Sequence, residues 1–241
     1  MRFQAILLAC ATLAFVAGPF LVPQFGGFDP ALYPYPQIDP PVQPAGYAFA
    51  LWGVIYLWLL VHAGMSLFKR HDAQDWAPMR MPLFWSLLVG AGWLSVAEVS
   101  PVWAQLMIFI MLGFALIAMK RAPVLDPWLA RAPVALYAGW LTAASFAGLG
   151  LLGAGYGMVL GELGWAYLCL IAAFALALWG RKLRPDAPFY TLGVAWALIA
   201  IAAKNWDHHW GLVGLASLGA FALVIMSLRA FKLEADLERP I

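Results

Sequence analysis

Charge is scarce in this 241-residue chain: Asp, Glu, Lys and Arg together make up 11% of it. Soluble helical domains need polar helix faces, and a chain this poor in charge cannot supply them. Cysteine is nearly absent as well. Cys10 and Cys169 are the only two, and both lie in apolar segments. Thiols so placed behave as small hydrophobes rather than as a disulfide or a metal pair. The apolar runs are continuous rather than period two, which excludes a β-barrel. Phosphate loops, dinucleotide fingerprints, nucleophile elbows, H-x-x-x-H and H-E-x-x-H patterns are missing, as are paired intramembrane carboxylates. No catalytic residue, metal ligand or certain cofactor is therefore assigned. Basic residues are too few and too dispersed for nucleic-acid binding.

What is present is apolar and aromatic. The chain is 64% hydrophobic and carries 13 tryptophans. Apolar stretches of about 18–20 residues recur, the length that crosses the hydrocarbon core of a bilayer. The expected fold is all-α, a polytopic transmembrane helical bundle forming a single integral membrane domain over residues 1–241. Eight spans are expected, at about 5–22, 47–68, 83–99, 102–119, 132–152, 163–180, 188–205 and 211–230, with residues 231–241 as a short tail.

The basic residues alternate between connections. Arg2 precedes the first span; Lys69, Arg70 and Arg80 follow the second; Lys120, Arg121 and Arg131 follow the fourth. Arg181, Lys182 and Arg184 follow the sixth, and Arg229, Lys232 and Arg239 follow the eighth. Lys204 is the one exception among the 14. Basic residues stay on the cytoplasmic side, so both termini are expected there, in the inner membrane of a bacterium with lipid as the first partner. Cleavage of the first span as a signal peptide would leave seven. The Ala14-Phe-Val-Ala17 stretch is a poor small-x-small site, which favours retention.

The longest outer loop, about Val22 to Gly46, contains Pro23, Pro30, Pro34, Pro36, Pro40, Pro41 and Pro44 with Tyr33 and Tyr35. It reads either as an extended tether or as a semi-rigid lid over the outer mouth of the bundle. Just past it, Phe49, Trp52, Tyr56, Leu59 and Ala63 share one helical face. Tyr137, Trp140, Ala144, Ala147 and Leu151 align similarly in the fifth span, where Ala143/Ala147 and Ala144/Gly148 form small-x-x-x-small pairs suited to close helix approach. Trp103, Trp165, Trp206 and Trp210 fall near span ends, as interfacial indoles do. Trp58, Trp93, Trp140 and Trp196 lie deeper, where each indole N–H wants a partner.

The segment Pro44-x-x-Tyr47-x-Phe49-x-x-Trp52-x-x-x-Tyr56 resembles the start of the second helix in the TspO/MBR family, the tryptophan-rich sensory proteins that include the mitochondrial translocator protein. With Tyr137-Ala-Gly139-Trp140-Leu-Thr142-Ala143-Ala144, it looks most like a longer, multi-span branch of that family. The resemblance covers roughly residues 40–205. Compact members have five spans rather than eight. Their aromatic pair is spaced by four, where Phe49 and Trp52 are spaced by three, and an expected asparagine is replaced by Ala147-Gly148. The resemblance implies a membrane receptor or carrier for tetrapyrroles, sterols or similar apolar molecules, with a porphyrin- or haem-type molecule or another apolar compound as the ligand. Phe49, Trp52 and Tyr56 would form one wall of the site, with Tyr137 and Trp140 on another helix.

Other readings stay open. A transporter would call for a helix broken at mid-membrane, whereas Pro101 and Pro133 lie near span ends. An accessory subunit of a larger membrane complex, or a homo-oligomer, would need only fitted grooves. Glu98, Glu162, Lys204, Asp207, His208 and His209 sit at outer span ends. They read as a solvated cap; adjacent histidines diverge on a helix and make a poor metal site. His62 is placed to hydrogen-bond across helices. Lys204 lies too near its span end for a retinal Schiff base.

Overall fold

The computed structural model describes residues 1–22 and 27–238; Pro23 and Arg239 lie outside them. Eight helices follow one another: α1 (Arg2–Leu21), α2 (Leu51–Phe68), α3 (Ala77–Ala97), α4 (Pro101–Arg121), α5 (Ala132–Gly155), α6 (Glu162–Leu183), α7 (Pro188–Lys204) and α8 (Trp210–Glu238). No strand occurs among the described residues. The chain is thus an all-helical polytopic bundle. Seven helices, counted with their flanking turns, are long and apolar enough to cross a membrane, and α7 is apolar but shorter.

Local chemistry sets the helix starts. Proline occupies the first position of α4 and α7, where its missing N–H costs nothing. Ser100 caps α4, its side chain accepting from the Trp103 N–H at 3.4 Å. A 3₁₀ turn over Gly46–Ala50 leads into α2, and a π-type turn over Pro127–Arg131 leads into α5.

Helix α5 is the most buried of the membrane-length helices and the axis of the bundle. It packs on α4, α6 and α7, while α1 packs on α3 and α2, and α7 on α8. The close α5–α7 crossing depends on glycine. A β-carbon on Gly139 would collide with the Tyr190 carbonyl, and Gly193 faces Leu136 and Trp140 backbone at the same crossing. The expected small pairs lie elsewhere. Ala143, Ala144, Ala147 and Gly148 border a recess, and the Gln105 side chain occupies the space over Gly148. Their small size there leaves volume instead of drawing two backbones together.

The two ends of the bundle differ. At the end rich in basic residues, Arg70 pairs with Asp126 at 2.8 Å and Arg131 with Asp186 at 2.8 Å and Glu234 at 2.6 Å. Asp186 also pairs with Arg184 at 2.9 Å, whose guanidinium is drawn below its ordinary pKa, chiefly by burial. Glu234 lies in α8, which continues to Glu238, so the segment read as a short tail is helical as far as it is described. It is also part of the core's ionic ties, because Arg131, 1% exposed, needs a buried carboxylate.

At the opposite end the proline-rich loop docks on the bundle. Tyr33 and Val42 are buried; Val42 fills the space over Gly150 and Tyr33 that over Gly155. The Tyr35 N–H donates to the Gly155 carbonyl at 2.9 Å, and the Ala45 N–H to that of Ala200 at 3.2 Å. Asn205 donates to the Pro41 carbonyl at 2.9 Å and Lys204 to that of Pro40 at 3.0 Å. The described part of the loop is thus bonded to the helices along its length. Lys204, expected in a solvated cap, is instead bonded to the loop, together with Asn205. Loop prolines leave carbonyls in need of donors, and these two side chains supply them.

Candidate functional site

Beneath the docked loop lies a chamber of about 1050 Å³. Helices α1, α2, α3, α4 and α5 contribute its walls, and the loop contributes its roof. A smaller recess of about 90 Å³ extends from it between α4, α5 and α7. The chamber is at the upper end of the range that encloses ligand-sized molecules.

Four of the five residues expected from the sequence line this chamber: Phe49, Trp52, Tyr56 and Trp140. Phe49 sits in the 3₁₀ turn rather than on α2 itself, and its ring still reaches Trp140 edge-on, with centroids 5.9 Å apart. Trp52 stacks on Tyr56 at 5.4 Å and meets Trp140 edge-on at 6.1 Å. Such pairs contribute roughly 0.5–1.5 kcal/mol each beyond area burial, so the wall is preorganised.

Tyr137 is placed differently. It is fully buried behind the wall, and its hydroxyl is 3.0 Å from the Ser86 hydroxyl, which donates to the Met111 carbonyl at 2.7 Å. Its ring backs Trp52 at 6.4 Å. Tyr137 therefore positions the wall and does not line the chamber.

The structure adds residues that the sequence reading missed. Phe15 of α1 lies between Trp52, Tyr56 and Tyr137, with centroids at 5.9, 5.3 and 5.7 Å. Phe28 of the loop meets Trp93 of α3 at 6.1 Å. No periodicity links residues so far apart in the chain. Gln105 did carry a signal, as a lone amide inside an apolar span. Its Nε2 donates to the Ser145 carbonyl at 2.7 Å, and the side chain borders the recess.

Polar satisfaction separates the deep indoles. Trp58 donates to the Trp128 carbonyl at 2.9 Å, Trp93 to that of Ala104 at 2.9 Å and Trp196 to that of Ala48 at 3.0 Å. Trp140 is 2% exposed, and its Nε1–H has no acceptor among the described residues. Two further buried atoms without a partner, the Tyr33 hydroxyl and Gln37 Oε1, belong to residues bordering the same recess. Burial also raises the pKa of the Tyr33 hydroxyl, so it remains protonated and able to donate. A buried polar group without a partner costs about 1–3 kcal/mol, and three such groups around one recess call for an explanation.

His62, expected to bond across helices, does so: its Nδ1 is 2.8 Å from the Leu129 carbonyl. Its ring stacks on Trp76 at 5.2 Å, and Trp76 donates to Asp126 at 3.2 Å. Trp206 and Trp210 remain exposed at the end of the bundle, in contact with each other at 5.2 Å. Among the described residues, no group of three His, Cys, Asp or Glu side chains is arranged to hold a metal ion.

A family profile described as TSPO-like protein matches residues 35–229. No curated protein and no solved structure matches the chain.

Proposed function

The chain belongs to the TSPO-like family, and from that premise we propose that it binds a hydrophobic, ring-containing ligand in the aromatic chamber. The ligand class is a tetrapyrrole, a sterol or a molecule of similar shape. Phe49, Trp52, Tyr56 and Trp140 take the ring system by face and edge contact, Tyr137 holds the wall in place, and Phe15 completes it. The observation that carries this reading is the Trp140 N–H. Of the four deep indoles it alone has no acceptor among the described residues, and its side chain borders both the chamber and its recess. A ligand carbonyl or ring nitrogen would satisfy it.

Thirteen of the 14 basic residues support an orientation with both termini in the cytoplasm and the chamber facing outward, in a bacterial inner membrane. The packing of Phe15 into the wall supports retention of the first helix, since its removal would open the chamber. Reporter fusions at the connections after α2 and α3 test the orientation.

The binding test uses the purified protein in nanodiscs with protoporphyrin IX as probe. Replacing Trp52 and Trp140 by Leu is expected to weaken quenching of the remaining tryptophans at least about tenfold in affinity, or about 1.4 kcal/mol. The helical content should be unchanged by circular dichroism. Unaltered affinity in the folded double variant removes the chamber from the binding function.

A further inference from the structure

Lys204 is the one basic residue outside the alternating distribution, and it lines the mouth of the chamber. Its side chain is 15% exposed and rises from the last turn of α7, where the helix dipole favours a cation. Its partner is the Asp39 carboxylate, 2.8 Å away on the loop. Asp39 is 80% exposed, and its carboxyl is held below the usual carboxylate pKa by the hydrogen bond and charge of Lys204. Its backbone has φ +54, a left-handed conformation that non-glycine residues adopt rarely. A sheltered cation at the rim of an apolar chamber is thus met by a carboxylate presented from the solvent side. Asp29 also borders the chamber, but it is exposed and its side chain already accepts from the Ala31 N–H at 2.9 Å.

An ammonium group has three protons to donate. Lys204 directs its bonds to Asp39 and to the Pro40 carbonyl, both on the loop. An ion pair with one partner in water contributes little net stability, so its exchange for another carboxylate is nearly free of cost. Exchange for a carboxylate from within the chamber also leaves the charge of Lys204 balanced. The same pair that holds the cover down is therefore suited to recognise an acid.

We propose that Lys204 is the anion-recognition residue of the chamber and that Asp39 is an internal, displaceable mimic of a ligand carboxylate. The ligand class narrows to an apolar ring system bearing a carboxylate. The ring lies on the aromatic wall, and the acid reaches the mouth beside the loop. This inference rests on the chamber being the ligand site.

The experiment compares protoporphyrin IX with its dimethyl ester, which keeps the ring and lacks the charge. Wild-type protein in phosphatidylcholine nanodiscs is titrated with each. The expected result is about tenfold tighter binding of the diacid. Lys204→Met should reduce diacid affinity to that of the diester and leave the diester unaffected, while Lys204→Arg should retain the preference. Asp39→Asn, which removes the competitor and keeps Lys204, should tighten diacid binding several-fold with no change for the diester. Equal wild-type affinities for the two probes overturn the role of Lys204 and leave the chamber as a binding site. Equal losses for both probes in Lys204→Met do the same, since they mark Lys204 as a tie for the loop alone. Failure of both probes to bind wild-type protein removes the chamber reading, and this inference with it.

Discussion

The two ends of this bundle use the same residue types in opposite ways. At the basic end, arginines, carboxylates and indoles are spent on one another and on loop carbonyls. Arg131 spans Asp186 and Glu234, Arg80 donates to Ser66 and to the carbonyls of Arg70 and His71, and Trp58 and Trp76 both have acceptors. Atoms without a hydrogen-bond partner among the described residues occur at this end too, at His62 Nε2, His71 Nδ1, Arg131 Nε, Arg181 Nε and Arg184 Nε and Nη2, with Arg184 Nε in ion-pair contact with Asp186. At the other end the rings border a chamber of about 1050 Å³, and Trp140 Nε1 and Gln37 Oε1 of its lining residues are without a partner among the described residues. One end fixes the helices relative to each other. The other encloses space beside polar groups that have no partner among the described residues. Asp126 illustrates the first case. It tolerates a left-handed φ of +62 because its carboxylate accepts from both Arg70 and Trp76.

The largest test of this contrast is Arg131→Met. It leaves Asp186 and Glu234 without their common partner, and breaking such a buried pair costs about 3–5 kcal/mol. Thermal unfolding in detergent should show the loss, while probe affinity per folded molecule stays as in wild type. If affinity fell as far as stability, the two ends would not be separable.

A smaller test compares two indoles. Trp93→Phe removes a satisfied donor and leaves the Ala104 carbonyl without it, for an expected loss of about 1 kcal/mol. Trp140→Phe removes a donor that has no acceptor, so the unliganded protein should gain up to about 1 kcal/mol. The same change should lower ligand affinity about fivefold. Both indoles border the chamber and its recess, so opposite signs in chemical denaturation would sharpen the distinction between a satisfied and an unsatisfied indole in one site; matching losses would erase it.

The smallest effect is on the loop. Lys204 depresses the Asp39 carboxyl, so the stability contributed by the pair is present above the unfolded carboxylate pKa and is lost as pH falls through the depressed folded-state value. With Asp39 80% exposed the contribution stays under about 1 kcal/mol. The protection factor of the Ala45 amide, which bonds to Ala200, should fall modestly at acid pH in wild type once the intrinsic exchange rate is divided out, and should lose that pH response in Asp39→Asn. An identical response in the variant would separate the loop from the ion pair.

Much of the architecture was legible because hydrophobic length and charge alternation are local or additive properties. Each of the eight expected spans corresponds to a helix, with end shifts such as α8 running on to Glu238. Helical periodicity brought Trp52 and Tyr56 to one face, and both line the chamber with Phe49 and Trp140. The same periodicity could not tell that Tyr137 faces Ser86, or that Ala143 and Ala147 border a recess. A period gives the face of a helix and not what stands opposite.

The sequence by itself therefore determined the class of the protein, the number and order of its helices, and an aromatic stripe beneath a proline-rich loop. Only the tertiary structure decided which donors are satisfied and where space remains. The reason is separation along the chain. Trp196 finds its acceptor at Ala48, 148 residues away, and Lys204 finds Pro40 at 164, whereas Trp140, with equal need of a partner, borders the recess and has none among the described residues.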